Sequence, residues 1–592
     1  MHFNKLIYLT MIRLILLFTY IVSITFPLTA MALDQSQKQE ATILFTTDIH
    51  GSFFPFDYIQ MKGCNGSYAR VITAVDSIRK NKGDGNVLLL DNGDILQGQP
   101  TVYYYNFIDT ASTHIAADIF NFINVDAVSI GNHDIETGHA VYDRWQNELK
   151  APILAANIID KKTKKTYFKP YTTFNRGGLK IAILGLITPA IPAWLPENLW
   201  SGLFFESMES TAEKWIKIIQ ERESVDAIIG LFHSGRDATK TTAGYIENAS
   251  MTTAMNVDGF DAVLMGHDHS TFCDTIINRY GHTVHLINPA NNGLKLGSLT
   301  ISKIANTINI KSELIDVSTI PPSERFLKHF QAQELAIKEF VDTEIAEITD
   351  SIFTRDAFFG PSEFMTLLHD LQLSISGADI SMAAPLTFDG QISKGTMKVA
   401  DMFTLYKYEN MLTTLKLTGK EIKDYLEFSY SLWTNCIADG QHLINFDSNN
   451  PTKENNKLKN PIYNFDSAAG IKYTVDVTKP KGQKIKITTL STGEPFRLES
   501  TYTVAVNSYR AGGGGNHLIE GAGITAEELK RRVISTTDKD LRYYIMELLR
   551  NRKTVTPSID RNWKFIPEKT VDSIIKIDRD LLFGKDSSRI QK

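Results

Sequence analysis

The chain has 592 residues, 43% of them hydrophobic and 22% charged, with a formal net charge of -5. That length predicts two or three domains with real cores. A slightly acidic balance excludes a broad polyanion-binding surface, so nucleic-acid polymers are not expected partners.

The amino terminus reads as a secretory leader. Lys5 and Arg13 precede an uncharged apolar run from Leu14 to Phe26, followed by the small-x-small site Ala30-Met31-Ala32 and a polar stretch. This layout predicts a signal peptide over residues 1–32 and a secreted protein, periplasmic in a Gram-negative cell, with no stable membrane anchor. The three cysteines, Cys64, Cys273 and Cys436, are too few and too scattered for a disulfide framework. Neither C-x-x-C nor C-x-x-H spacing occurs, so thiolate metal sites are not expected.

Five short, β-branched apolar runs then end in polar residues beside glycine. Thr42–Thr47 delivers Asp48-Ile49-His50-Gly51, and Val87–Leu90 delivers Asp91-Asn92-Gly93-Asp94. Val125–Ile130 delivers Gly131-Asn132-His133-Asp134. Asp226–Phe232 delivers His233-Ser234-Gly235, and Phe260–Met265 delivers Gly266-His267-Asp268-His269. Residues two apart on an extended chain point the same way, so Asp48 with His50, and His267 with His269, can each grip one ion. A single histidine at a strand end is usually structural, but five such ends are hard to obtain by coincidence. Mixed imidazole, amide and carboxylate donors suit zinc, manganese, iron or cobalt rather than calcium. His114, His139, His282 and His285 lie outside these motifs and read as structural or surface residues.

Pro321-Pro322-Ser323 then breaks the chain, and Ile337, Phe340, Val341 and Ile345 recur at helical spacing. This predicts a bridging helix over 321–349 between a domain at 41–320 and another at 350–592. In the second domain, Tyr463 and Tyr509 lie in loops, and the second is followed by four glycines and Asn516. A glycine run lets a backbone approach a ligand closely. Two tyrosines on separate loops could clamp a flat aromatic group or be ordinary half-buried residues.

The order of the five motifs resembles the dinuclear metallophosphoesterase (calcineurin-like) superfamily. The resemblance implies an α/β fold: a metallophosphoesterase β-sandwich flanked by helices, with a C-terminal α+β substrate-binding domain after the bridge. It implies two divalent ions, one held by Asp48, His50 and His269 and the other by Asn132, His233 and His267, with Asp94 between them. It makes His133 a transition-state stabiliser or proton donor rather than a ligand, supported by a nearby acid for which Asp134 and Glu136 are the candidates. Over nearly the whole mature chain the sequence resembles the secreted 5′-nucleotidase family. Tyr463-Asn464-Phe465-Asp466, Tyr509-Arg510-Ala511, Ala383-Ala384-Pro385 and Leu405-Tyr406-x-Tyr408-x-Asn410 look most like its 2′,3′-cyclic-nucleotide 2′-phosphodiesterase/3′-nucleotidases. That resemblance implies a base sandwich of Tyr463 and Tyr509, with Asn516 also at the substrate. The arginine-containing phosphate loop of true 5′-nucleotidases is replaced here by Met382-Ala383-Ala384-Pro385-Leu386. Small nucleotides are therefore the expected substrates, 2′,3′-cyclic and 3′-nucleotides first, with 5′-nucleotides or nucleotide sugars as the alternative. A catalytically silent binding protein would have lost at least one ligand, and all are present.

Overall fold

A computed structural model describes residues 38–237, 245–305, 307–437, 442–447 and 458–584, together with Met11. The expected leader, residues 1–32, otherwise lies outside them. Among the described residues no helix is long and apolar enough to cross a membrane.

The first domain is built on twelve strands: β1 (Gln39–Thr46), β2 (Val87–Asp91), β3 (Ala127–Ser129), β4 (Ile153–Leu154), β5 (Tyr171–Arg176), β6 (Leu179–Ile187), β7 (Ala227–His233), β8 (Ala262–Met265), β9 (Thr271–Ile277), β10 (Thr283–Pro289), β11 (Lys295–Ile304) and β12 (Thr307–Asp316). They form two six-stranded sheets, β12-β11-β1-β2-β3-β4 and β9-β10-β8-β7-β6-β5. Alternation along each strand explains why the sheets face each other. Ile43, Phe45, Leu88 and Leu90 of one sheet meet Ile181, Ile183, Ile229, Leu231 and Leu264 of the other in a closed core. The intervening residues point outward and are buried too: Leu44, Leu89 and Val128 under one helical layer, Leu184, Ile228 and Val263 under the helix Met208–Arg222. Strands covered on both faces read as continuous apolar runs, which is why they were legible. Each fully buried Leu or Ile contributes roughly 1.5–3 kcal/mol.

Topology then fixes the site. β1, β2 and β3 are mutually parallel, as are β6, β7, β8 and β10. Their carboxyl ends gather at one edge of the sandwich, the place where such sheets bind ligands.

The bridge differs from a single helix over 321–349. It is two helices, Glu324–His329 and Gln331–Val341, and the chain then enters a strand, Glu344–Ile348, of the second domain. Ile337 and Val341 are fully buried against the first domain's core, as their spacing predicted. Ile345 instead joins a second-domain core.

The second domain carries a five-stranded sheet ordered Ser467–Ala469, Ile380–Ala383, Thr501–Asn507, Met411–Thr418, Val533–Asp540. Glu363–Ser376 and Gly419–Trp433 pack on it. The first is capped by Ser362, whose hydroxyl accepts from Met365, and closed by Gly377 at φ 65°. Tyr103 of the first domain inserts across the seam, 1% exposed, with its hydroxyl 3.2 Å from Asp540 and its ring edge-on to Phe403.

Candidate metal centre and substrate cleft

The five strand ends converge. Asp48, His50 and His269 bring one donor atom each within 4.8 Å of one another, and Asp94, His233 and His267 do the same. His50 Nε2 lies 3.1 Å from His269 Nε2, which is 3.3 Å from Asp48 Oδ1. In the other group His233 Nε2 lies 3.1 Å from Asp94 Oδ2, and His267 Nδ1 lies 2.7 Å from Asn132 Oδ1. Asp94 Oδ2 and His233 Nε2 are buried, and neither makes a hydrogen bond of good geometry. Buried donors without partners, converging with a mixed N/O set, fit divalent metal ions.

Backbone strain accompanies this convergence. Asp48, His50, Asp94, His267 and His269 all adopt positive φ, between 50° and 74°. Non-glycine residues rarely do so, and such strain clusters at functional sites. Two glycines make room. A Cβ on Gly131 would lie 2.1 Å from Asp94 Oδ1, and one on Gly266 would lie 2.1 Å from Thr47 Oγ1.

The remaining ring atoms are fixed by neighbours. His50 Nδ1 lies 2.9 Å from the Gln97 carbonyl and His233 Nδ1 2.6 Å from that of Asn92, so each histidine presents Nε2 to its group. Charge follows the same pattern. Burial works against the Asp48 carboxylate, but the hydrogen bond from His269 and the charge of His233 outweigh it and hold the group at about 2. Burial works against the His233 cation too, and Asp94 outweighs it, raising the ring to about 10. His50 is lowered to about 3 by burial and by His269.

Asp134 and Glu136 divide their roles cleanly. The Asp134 carboxylate accepts the backbone N–H groups of Gly131, Asp94, Ile95 and Leu96, each within 2.9 Å, and so shapes the loop that carries Asp94. Glu136 Oε2 sits 2.5 Å from His133 Nδ1. Asn132–Glu136 is a short helix, so the i,i+3 spacing was the available signal for this pair. Burial disfavours the His133 cation, but Asp94 and Glu136 outweigh it and raise the ring to about 9. His133 Nε2 belongs to neither metal group.

His133 opens instead onto a cleft of about 320 Å³ between the domains. Asn132, Glu136, Trp194, Glu247 and His267 line it from the first domain, and Leu386, Tyr408, Asn410, Tyr463, Tyr509 and Asn516 from the second. Among the described residues no Lys or Arg lines it. The expected tyrosine pair is therefore brought to the cleft, but not as parallel plates. The Tyr463 and Tyr509 rings are 6.2 Å apart and edge to face at 87°, with no parallel gap between them. The glycine run has a local cause. A Cβ on Gly514 would lie 2.5 Å from the Tyr509 ring, and one on Gly515 would lie 2.1 Å from Arg510 Nη1. Tyr463 and Tyr509 lie not in loops, as expected, but in one-turn helices, Ile462–Asn464 and Ser508–Ala511. Arg510, 3% exposed, ties the two segments through Asp466 and the Tyr463 and Gly514 carbonyls. Asn516 lies at the rim, its amide donating to Glu520.

Sequence reasoning missed Trp194, at the end of the one-turn helix Ile191–Trp194, and Glu247, in a loop; neither stretch carries a periodic signal. His114, His139, His282 and His285 all make hydrogen bonds away from the site, to Asn106, Asp143, Asp258 and Ser312. The three cysteines are free thiols. A larger cavity of about 470 Å³ in the second domain shares no lining residue with the cleft.

Fold and site together define a metal-dependent phosphoester hydrolase of two domains. Residues 41–271 match the calcineurin-like phosphoesterase family and residues 344–520 the 5′-nucleotidase C-terminal domain, so the chain combines these two domains. It is 25% identical over 616 residues to a 2′,3′-cyclic-nucleotide 2′-phosphodiesterase/3′-nucleotidase of Yersinia enterocolitica, covering 90% of each chain. It is also 25% identical to a trifunctional nucleotide phosphoesterase protein of Bacillus subtilis, covering 94% of this chain but 41% of that one. Among solved structures it resembles a Staphylococcus aureus chain crystallised with α-ketoglutarate, at TM-score 0.74 and 22% identity, covering 89% of this chain and 99% of that one. A Thermus thermophilus 5′-nucleotidase precursor superposes at TM-score 0.61 and 20% identity, with the same coverage.

Proposed function

We propose that the protein is a secreted nucleotide phosphohydrolase that converts 2′,3′-cyclic nucleotides to 3′-nucleotides and these to nucleoside and phosphate. Asp48, His50 and His269 hold one divalent ion, Asn132, His233 and His267 the other, and Asp94 faces both. The donor chemistry admits zinc, manganese, iron or cobalt. Bound ions supply Lewis-acid activation of water and absorb charge on the phosphoryl oxygens. His133, oriented by Glu136, stabilises the charge that grows at phosphorus or gives a proton to the departing alkoxide. Tyr463 and Tyr509 hold the base at the far side of the cleft.

The observation that carries the substrate preference is the cleft lining. It offers the His133 imidazole and the Asn132 and His267 edge of one ion group for a phosphate, and among the described residues no Lys or Arg for a second. Leu386 stands on its wall where the resemblance to 5′-nucleotidases would require an arginine loop. The test is phosphate release from 2′,3′-cyclic AMP, 3′-AMP, 5′-AMP and a nucleotide sugar. The cyclic and 3′ substrates should have the highest kcat/KM. Preference for 5′-AMP or the nucleotide sugar would overturn the assignment.

A further inference from the structure

Glu247 lies outside every motif, yet its Oε1 is 3.1 Å from His267 Nε2. The other ring nitrogen, Nδ1, is 2.7 Å from Asn132 Oδ1, and His267 is one of the group with Asp94 and His233. A neutral imidazole carries one N–H and one lone pair. If the proton is on Nδ1, the Nε2 lone pair faces a carboxylate. If it is on Nε2, the Nδ1 lone pair faces the Asn132 oxygen. A neutral ring makes both contacts favourable together only with positive charge beside Nδ1, whereas a ring protonated on both nitrogens would donate to both oxygens and hold no ion.

The loop bearing Glu247 is built to hold it there. Ser234, fully buried and adjacent to His233, donates its hydroxyl to the Glu247 carbonyl at 2.8 Å and accepts from the Ala249 N–H at 2.9 Å. The Ser250 hydroxyl donates to the Ser234 carbonyl at 2.7 Å. The turn that presents one histidine of the group thus anchors the residue that orients the other. On the ring face, Trp194 stacks on His267 at 5.6 Å and 27°, leaving little freedom to rotate.

We infer that Glu247 is a positioning residue that accepts the Nε2–H of His267 and so turns its Nδ1 lone pair toward the ion shared with Asn132, Asp94 and His233. This rests on the metal assignment of His267 proposed above. Carboxylate–histidine–metal pairs of this kind change metal affinity by roughly 10–100-fold when the outer partner is removed.

The test titrates the loaded protein with a chelator and counts ions per chain by elemental analysis, alongside the melting temperature of the metal-free protein. Glu247→Ala should release one of two ions at a chelator concentration about 10–100-fold lower than the wild type, and the metal-free melting temperature should not move. Glu247→Gln keeps an acceptor oxygen and should recover most of the lost affinity. His267→Ala serves as the reference and should lose that ion outright. If His267→Ala loses one ion and Glu247→Ala retains both with the wild-type profile, the inference is wrong while the metal assignment stands. If His267→Ala itself keeps both ions, the assignment fails and the inference with it.

Discussion

Glu136 Oε2 lies 2.5 Å from His133 Nδ1, and the His133 backbone N–H donates to Asp94 at 2.8 Å. One short helix therefore aims an imidazole across the cleft and ties it to the carboxylate grouped with His233 and His267. His133→Ala should leave two ions in place and lower turnover on every substrate. Glu136→Gln should do the same more mildly, by roughly 10–100-fold, since it removes only the charge that orients and supports the ring. Loss of ions in either variant, read by elemental analysis, would make His133 a ligand instead.

Asp94 is the carboxylate shared by both ions in this reading; burial works against its charge, but the nearby His233 and His133 outweigh it and hold it well below the usual carboxylate range. Asp94→Asn removes that charge while keeping the side chain's size. It should lose most bound metal and nearly all activity. Two retained ions with normal turnover would refute the dinuclear arrangement.

Asp134 predicts a different failure. Its carboxylate satisfies four buried backbone donors, including those of Asp94 and Ile95. Asp134→Ala leaves them unpaired and should cost roughly 3–5 kcal/mol in urea unfolding of the metal-free protein. Unchanged stability with altered turnover would mean Asp134, not Glu136, serves the chemistry.

The residues of the two candidate ion groups were legible because each sits near where an apolar strand stops beside a glycine. The fold's edge was legible for the same reason, since strands covered on both faces leave unbroken Val, Ile and Leu runs. Asp134 and Glu136 could not be ranked because one works on backbone donors brought from residues 94–96, and sequence spacing does not record that approach. Glu247 reaches His267 from a loop and Trp194 from a helix of one turn, neither long enough to show a period. The glycines after Tyr509 were read as room for a ligand, and the structure gives that room to Tyr509 and Arg510.

Acid stability should follow a histidine outside the site. His369 is fully enclosed, with its ring nitrogens 2.9 and 3.1 Å from the Ser381 and Ser467 hydroxyls, and burial lowers its pKa from 6.5 to about 4. A depressed folded-state value means the unfolded chain binds the proton first. The stabilisation is complete above pH 6.5 and is lost as pH falls toward 4, by an amount on the order of 3 kcal/mol. Melting temperature should therefore drop across that window. In His369→Gln the drop should be shallower, and an identical slope would show that other groups carry the acid response.

The tyrosine pair gives the last test, because its geometry separates substrate binding from folding. Stacking on a base is worth roughly 1–3 kcal/mol and acts far from phosphorus. Tyr463→Ala and Tyr509→Ala should raise KM for 3′-AMP and 2′,3′-cyclic AMP while glycerol phosphate, which has no base, is hydrolysed as before. Gly514→Ala sharpens the test without removing an aromatic ring. The new methyl group would lie 2.5 Å from the Tyr509 ring and must displace it. Since Gly514 is not at positive φ, the backbone itself tolerates alanine. Gly514→Ala should therefore raise KM for nucleotides in the manner of Tyr509→Ala, with metal content unchanged. Equal losses on nucleotides and glycerol phosphate in all three variants would mean that these segments hold the cleft's shape and that neither tyrosine reads a base.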